Sequence, residues 1–202
     1  MTTINQRIPT LVVKGFDELF YKVVNSVGWR KIQDDFNKSS KILIVGNGGN
    51  LAVADHAAID IGRLTNKSTA APGSGILASS LINDLSHDDW IMKWVEITLR
   101  GLSKESIQNI MIIGISSSGL SKNICNGLEY GETRGIKTAL ISASTPKIPG
   151  NYNTAVIGTN EYHTGEVMTL LLFYQLIHGA GFECPCIDKA SKEDAKRIDY
   201  SC

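Results

Sequence analysis

Ten residues, GISSSGLSKN at 114–123, place four serines and two glycines directly behind an apolar run that ends at Ile115. A second stretch, GNGGN at 46–50, stands in the same way behind Lys41–Val45. Glycines let a backbone come close to an anion, and serine hydroxyls add donors. Where such a loop feeds a helix, the unpaired N–H groups of the first turn and the positive dipole end bind phosphate without a lysine. Ser116, Ser117, Ser118 and Ser121 therefore have the make-up of a neutral phosphate cradle. Asn47, Gly48, Gly49 and Asn50 form the second loop, whose amides suit ligand hydroxyls or the cap of the next helix. Serine is also a common turn residue and Ser121 equally a helix cap, and the sequence leaves that reading open. His56 and Asp60, four apart behind the second loop, share one helix face toward the loop end.

The phosphate is not that of a dinucleotide or of ATP held in the familiar ways. Gly46, Gly48 and Gly49 match G-x-G-x-x-G only in part, and Lys122 falls outside the P-loop pattern.

These residues need elements to hold them. Leu11, Val12, Phe16, Leu19, Phe20, Val23, Val24 and Val27 form a helical stripe, with an interruption expected around Gly28. Lys41–Val45, Ile110–Ile115 and Lys137–Ile141 are short apolar strands of the kind buried on both faces, and Thr154–Ile157 reads as an edge strand. Ser74–Ser80 is a further strand candidate. Helices are expected over 52–61, from Asp88 onward, over 121–134 and over 165–178, with Trp90 and Trp94 as core or interface residues. Strands alternating with helices predict an α/β fold: a parallel sheet covered on both faces, a three-layer α/β/α sandwich. The expected organisation is an N-terminal helical segment over 1–37, one domain over 38–182 and a polar tail over 183–202.

Composition narrows the classes. Hydrophobic residues make up 43% and charged residues 20%, ordinary for a globular chain of 202 residues. Twenty basic and twenty acidic side chains cancel, which argues against nucleic acid or an anionic membrane as partner. The longest late apolar stretch, Val167–Ile177, falls short of the roughly 20 residues a bilayer needs. Four cysteines (Cys125, Cys184, Cys186 and Cys202) do not make a disulfide scaffold, and no leader is evident, so a reduced cytoplasmic setting is expected. His87 and His178 lack metal-ligand spacing, and the cysteines form only a loose cluster.

Taken in order, GNGG at 46–49, HAAID at 56–60, Asn83-Asp84 and GISSSGLSKN at 114–123 closely resemble the sugar isomerase (SIS) domain. The likeness is strongest to the phosphoheptose (sedoheptulose 7-phosphate) isomerase group and runs over about residues 10–180. It implies a five-stranded parallel sheet, oligomer contacts through the N-terminal helical segment, and a sugar phosphate at the serine loop. It also implies a homodimer or homotetramer with active sites between subunits. The activity implied is aldose–ketose isomerisation, which moves a proton between adjacent carbons through an enediol and so needs an acid–base pair. A non-catalytic phosphosugar sensor, or a module binding a replication initiator, is the alternative. No cofactor is required by that chemistry, although some members of the family hold zinc.

The resemblance also assigns roles. The family's histidine matches His56, and its catalytic glutamate four residues later is replaced by Asp60, one methylene shorter. Asn83 and Asp84 match a pair near the sugar, and Arg63 falls one residue out of step with a family arginine. The family's last helix supplies a second histidine about two turns from its start. Anchoring on Gln175–Ile177 puts Leu171 there and His163 at an earlier glutamine; anchoring on Glu166 gives Phe173. With no titratable group at either position, His163 or Glu166 in the first turn becomes the candidate acid.

Overall fold

Ile42, Leu43, Ile44 and Val45 are buried, as are all six residues of Ile110–Ile115. Strands this apolar have no face to give to water, so helices must cover the sheet on both sides. In the computed structural model, which describes Leu11 and residues 15–73 and 75–184, they do. The elements are α1 (Phe16–Val24), α2 (Val27–Lys38), β1 (Lys41–Val45), α3 (Gly49–Leu64), β2 (Ser68–Ala70), α4 (Gly75–Asp84) and α5 (Trp90–Leu99). They continue as α6 (Lys104–Gln108), β3 (Ile110–Ile115), α7 (Lys122–Thr133), β4 (Lys137–Ser142), β5 (Asn153–Val156) and α8 (Tyr162–Gly179). The outer ends of the chain, Cys186 and Cys202 among them, lie outside the described residues, as does most of the expected tail.

The five strands lie in the order β2-β1-β3-β4-β5, and every pairing is parallel. One face packs against α1, α2, α3 and α8 through Trp29, Phe36, Ile61, Met168 and Phe173. The other packs against α4, α5 and α7 through Trp90, Trp94, Ile124 and Leu128. Each fully buried aliphatic or aromatic side chain is worth about 1.5–3 kcal/mol of transfer free energy. Both layers are thus needed to hold so apolar a sheet.

Two expectations are corrected. Ser74–Ser80 is no strand: described residues from Gly75 on form α4, whose Leu77, Ala78 and Leu81 recur at helical spacing and pack on the α5 side. The remaining strand is instead Ser68–Ala70, only three residues long, which forms the edge opposite β5 and pairs to Lys41, Ile42 and Leu43 of β1. So short a segment carries no alternation to read. The break in the N-terminal stripe comes at Asn25–Ser26 rather than Gly28, because the Ser26 hydroxyl accepts the Trp29 N–H (3.1 Å) and caps α2.

The strand order has one consequence for function. β1 is followed by β2 on one side, while β3 lies on its other side, so the sheet changes direction between β1 and β3. Ligands of open α/β sheets bind at that point, outside the carboxyl ends of the strands. GNGG leaves β1 and SSSG leaves β3, and these two strands are paired from Lys41↔Ile110 to Val45↔Gly114. The two candidate loops are neighbours.

Candidate functional site

The serine loop is tied down from below and open above. Ser116 N–H bonds the Ile141 carbonyl (3.0 Å), and the Ser117 carbonyl accepts from Ala143 N–H and Ser144 N–H at 3.1 Å each. Ser116 is buried, and its hydroxyl donates to Ser121 Oγ (2.9 Å). Ser121 occupies the N-cap of α7 without a side-chain cap bond; Ile124 N–H turns to Asn123 Oδ1 (3.0 Å), and the first two amides of the helix, Lys122 and Asn123, are left for an anion. Lys122, the only cation in the loop, points away: its ammonium lies 3.8 Å from Asp88 Oδ2 and is largely exposed. A 160 Å³ cleft opens beside Ser117 and Ser118, closed by Ser144 and by Thr159–Tyr162 at the start of α8.

The two loops are joined by side chains. Asn50 Nδ2 donates to Ser117 Oγ (2.9 Å), and Asn50 Oδ1 is buried with no protein partner, an acceptor left for a ligand hydroxyl. Asn47 and Asn123 bond each other in both directions, at 3.0 and 2.8 Å. The Glu166 carboxylate of α8 stands over Gly49, in the space a Cβ there would need, so α8 begins against the start of α3.

Farther along the same two helices lies a cluster of titratable groups. The Tyr174 hydroxyl donates to Asp60 Oδ2 (2.6 Å) and lies 3.1 Å from His56 Nε2. His56 Nε2 is itself 3.1 Å from Asp60 Oδ2, and Arg63 Nη2 is 3.3 Å from Oδ1. Burial pushes the Asp60 carboxyl up, but the bonds from Tyr174 and Arg63 and the charges of His56 and Arg63 outweigh it and hold Asp60 below the usual carboxylate range. The Tyr174 phenol, by its bond to Asp60 and by burial, is pushed up to about 12 and stays protonated. The Asp60 side chain is only 13% exposed, whereas that of His56 is 53% exposed and reaches solvent.

Not every candidate residue arrives here. His163 sits in the first turn of α8, 3.3 Å from Glu161 Oε2, eleven residues and about 16 Å of helix from Tyr174. It belongs to the serine-loop end. Asn83 and Asp84 end α4, exposed and bonded to each other at 3.2 Å. Leu171 is partly exposed and Phe173 is packed in the core; the residue of α8 that meets Asp60 is Tyr174, which neither sequence register pointed to. Zinc does not fit this cluster. It needs three or four His, Cys or carboxylate donors, and among the described residues no group of three gathers; the third member here is a protonated phenol.

No family model matches the chain. The chain is 30% identical over 143 residues to a phosphoheptose isomerase of Chlorobaculum tepidum, covering 66% of this chain and 64% of that protein. It is 27% identical over 173 residues to one of Thermodesulfovibrio yellowstonii, covering 80% and 83%. Among solved structures, the phosphoheptose isomerase of Neisseria gonorrhoeae superposes with a TM-score of 0.66 at 16% identity, over 81% of this chain and 92% of that one. The chain is thus similar in sequence to phosphoheptose isomerases and shares the fold of a solved one. Its sheet is the SIS α/β sheet. It spans less than two thirds of the first of these curated relatives.

Proposed function

We propose that this chain is an SIS-domain phosphosugar isomerase that interconverts an aldose and a ketose phosphate, with a long-chain sugar such as sedoheptulose 7-phosphate as substrate. One observation carries the reading. A single helix, α3, begins in the loop beside the serine cradle and carries His56 and Asp60 seven and eleven residues beyond Gly49, about 10 and 16 Å along its axis. In this reading the phosphate is held at the serine-loop end of α3, and the carbons that exchange a proton lie farther along that helix. A three-carbon sugar phosphate is too short for that span.

In this reading Ser116, Ser117, Ser118 and the α7 amides hold the ester, while Asn47, Asn50 and Glu166 bond sugar hydroxyls. His56, backed by the Asp60 carboxylate, does the acid–base work, an arrangement that needs no resident cofactor. Exposed Ile59, Val167 and Leu171 flank the pair and fit burial against a second copy of the chain in a cytoplasmic homo-oligomer. Among the described residues no helix is long and apolar enough to cross a membrane. The likeness to named isomerases favours catalysis over a sensor or initiator-binding role.

The test is exchange of the C2 proton of bound sedoheptulose 7-phosphate or its aldose with deuterated water, followed by NMR. Exchange in the native protein, lost in His56→Gln, is the expected result. Thermal stabilisation by sugar phosphates without any exchange would overturn the isomerase and leave a sensor.

A further inference from the structure

The geometry around His56 decides more than that it is near a carboxylate. Three polar atoms meet at one point: Asp60 Oδ2, the Tyr174 hydroxyl oxygen and His56 Nε2, with separations of 2.6, 3.1 and 3.1 Å. Tyr174 has a single hydrogen, and the shortest of these contacts directs it to Asp60. Its oxygen therefore turns lone pairs toward the imidazole, and so does Asp60. Two acceptors facing Nε2 require that nitrogen to carry the hydrogen, because a bare Nε2 would meet only lone pairs. In a neutral imidazole the other nitrogen is then bare.

We propose that Tyr174 is a positioning residue which, with Asp60, holds His56 as the Nε2–H tautomer and presents its bare Nδ1 outward as the nitrogen that exchanges protons with the substrate's hydroxyls. The inference rests on the isomerase reading and deepens it. His56, half-exposed, touches the sugar; Asp60, nearly covered, acts through His56. The logic is that of any carboxylate that fixes an imidazole by bonding the nitrogen away from the substrate. Here the carboxylate is itself fixed, by a phenol from another helix. The groups facing the cluster are His56, Asp60 and Arg63 from α3, Tyr174 from α8, and Cys184 just past α8, whose thiol lies 4.0 Å from the Tyr174 carbonyl.

Tyr174 shares the charge on Asp60 Oδ2. Without its hydroxyl, Asp60 becomes a stronger acceptor for His56 alone and favours the imidazolium. Tyr174→Phe keeps the ring and its packing, so the acid limb of the rate profile should move to higher pH. Turnover should fall on the order of 10²-fold with KM within about twofold, since proton transfer and not binding is disturbed.

The experiment combines long-range proton–nitrogen NMR of the histidine rings with C2 exchange across pH, in the native protein and Tyr174→Phe. The expected results are a protonated Nε2 on neutral His56 in the native protein, and the shifted limb in the variant. A protonated Nδ1 in the native protein overturns the proposal without needing any variant to fold. So does a Tyr174→Phe enzyme with unchanged turnover and an unmoved acid limb. If the native protein exchanges no sugar proton, the isomerase reading falls, while the ring spectra still decide whether Tyr174 and Asp60 set the tautomer.

Discussion

The side-chain amides of Asn47 and Asn123 bond each other in both directions, at 3.0 and 2.8 Å, across 76 residues of chain. Asn123 is fully buried, in the first turn of α7. The pair therefore fastens the GNGG loop to the helix whose amides complete the serine cradle, and sets the distance between the two loops. Asn123→Ala leaves the Asn47 amide with donor and acceptor unpaired, and removal of one partner from a buried bond costs about 1–3 kcal/mol. Urea unfolding should show a loss of that size. A double-mutant cycle with Asn47→Ala should be strongly non-additive, because both variants remove the same bonds.

A negative charge in the cradle should abolish phosphate binding and spare the fold. Ser117 lines the cleft and its hydroxyl accepts from Asn50, so Ser117→Asp places a carboxylate at the proposed phosphate site. In the native protein a sugar phosphate at about 100 times its Kd should stabilise by about 2.7 kcal/mol. Differential scanning fluorimetry should find that stabilisation absent in Ser117→Asp, with the unliganded melting temperature little changed. Retained stabilisation would place the phosphate elsewhere.

Gly46 is the close approach on which the start of α3 depends. A Cβ there would lie 2.5 Å from the Asn50 carbonyl oxygen and 2.9 Å from Leu51 N, both backbone atoms that cannot swing aside. Gly46→Ala should displace the first turn of α3 and with it Asn50. Sugar-phosphate affinity measured by calorimetry should drop at least tenfold, roughly 1.4 kcal/mol, even where circular dichroism still shows a folded protein.

Asp60 links stability to pH with a definite sign. Its folded carboxyl is held below the ordinary value, so its contribution is fully present above about pH 3.9 and is lost as pH falls through the folded value. Asp60→Asn should be less stable than the native protein at neutral pH, and the difference should shrink steadily in chemical unfolding below about pH 4. A difference that stays constant down to pH 2 would show that the carboxylate is not ion-paired in the folded state.

The sequence by itself determined what is local. Runs such as KILIV and IMIIGI read as doubly buried strands, the alternation of strand and helix pointed to a parallel α/β sandwich, and glycine and serine behind two strands marked a candidate anion site. The four-residue spacing of His56 and Asp60 put them on one face of one helix, and that pairing needs no tertiary information. What the tertiary structure alone decided is which distant groups meet. β2 is three residues long and leaves no periodic trace, and the sequence instead offers a strand in what is helix α4. That β1 and β3 are neighbours, and hence that the two candidate loops lie side by side, follows from strand order. Helix α8 is apolar on nearly all sides, with Met168, Leu172, Phe173 and Leu176 in the core while Val167 and Leu171 are exposed, so its pattern does not say which face meets α3. Only the packing of the two helices turns Tyr174 to Asp60 and leaves His163 at the far end. Side-chain chemistry and spacing travel with the chain, but the rotation of one packed helix against another is fixed by every contact at once.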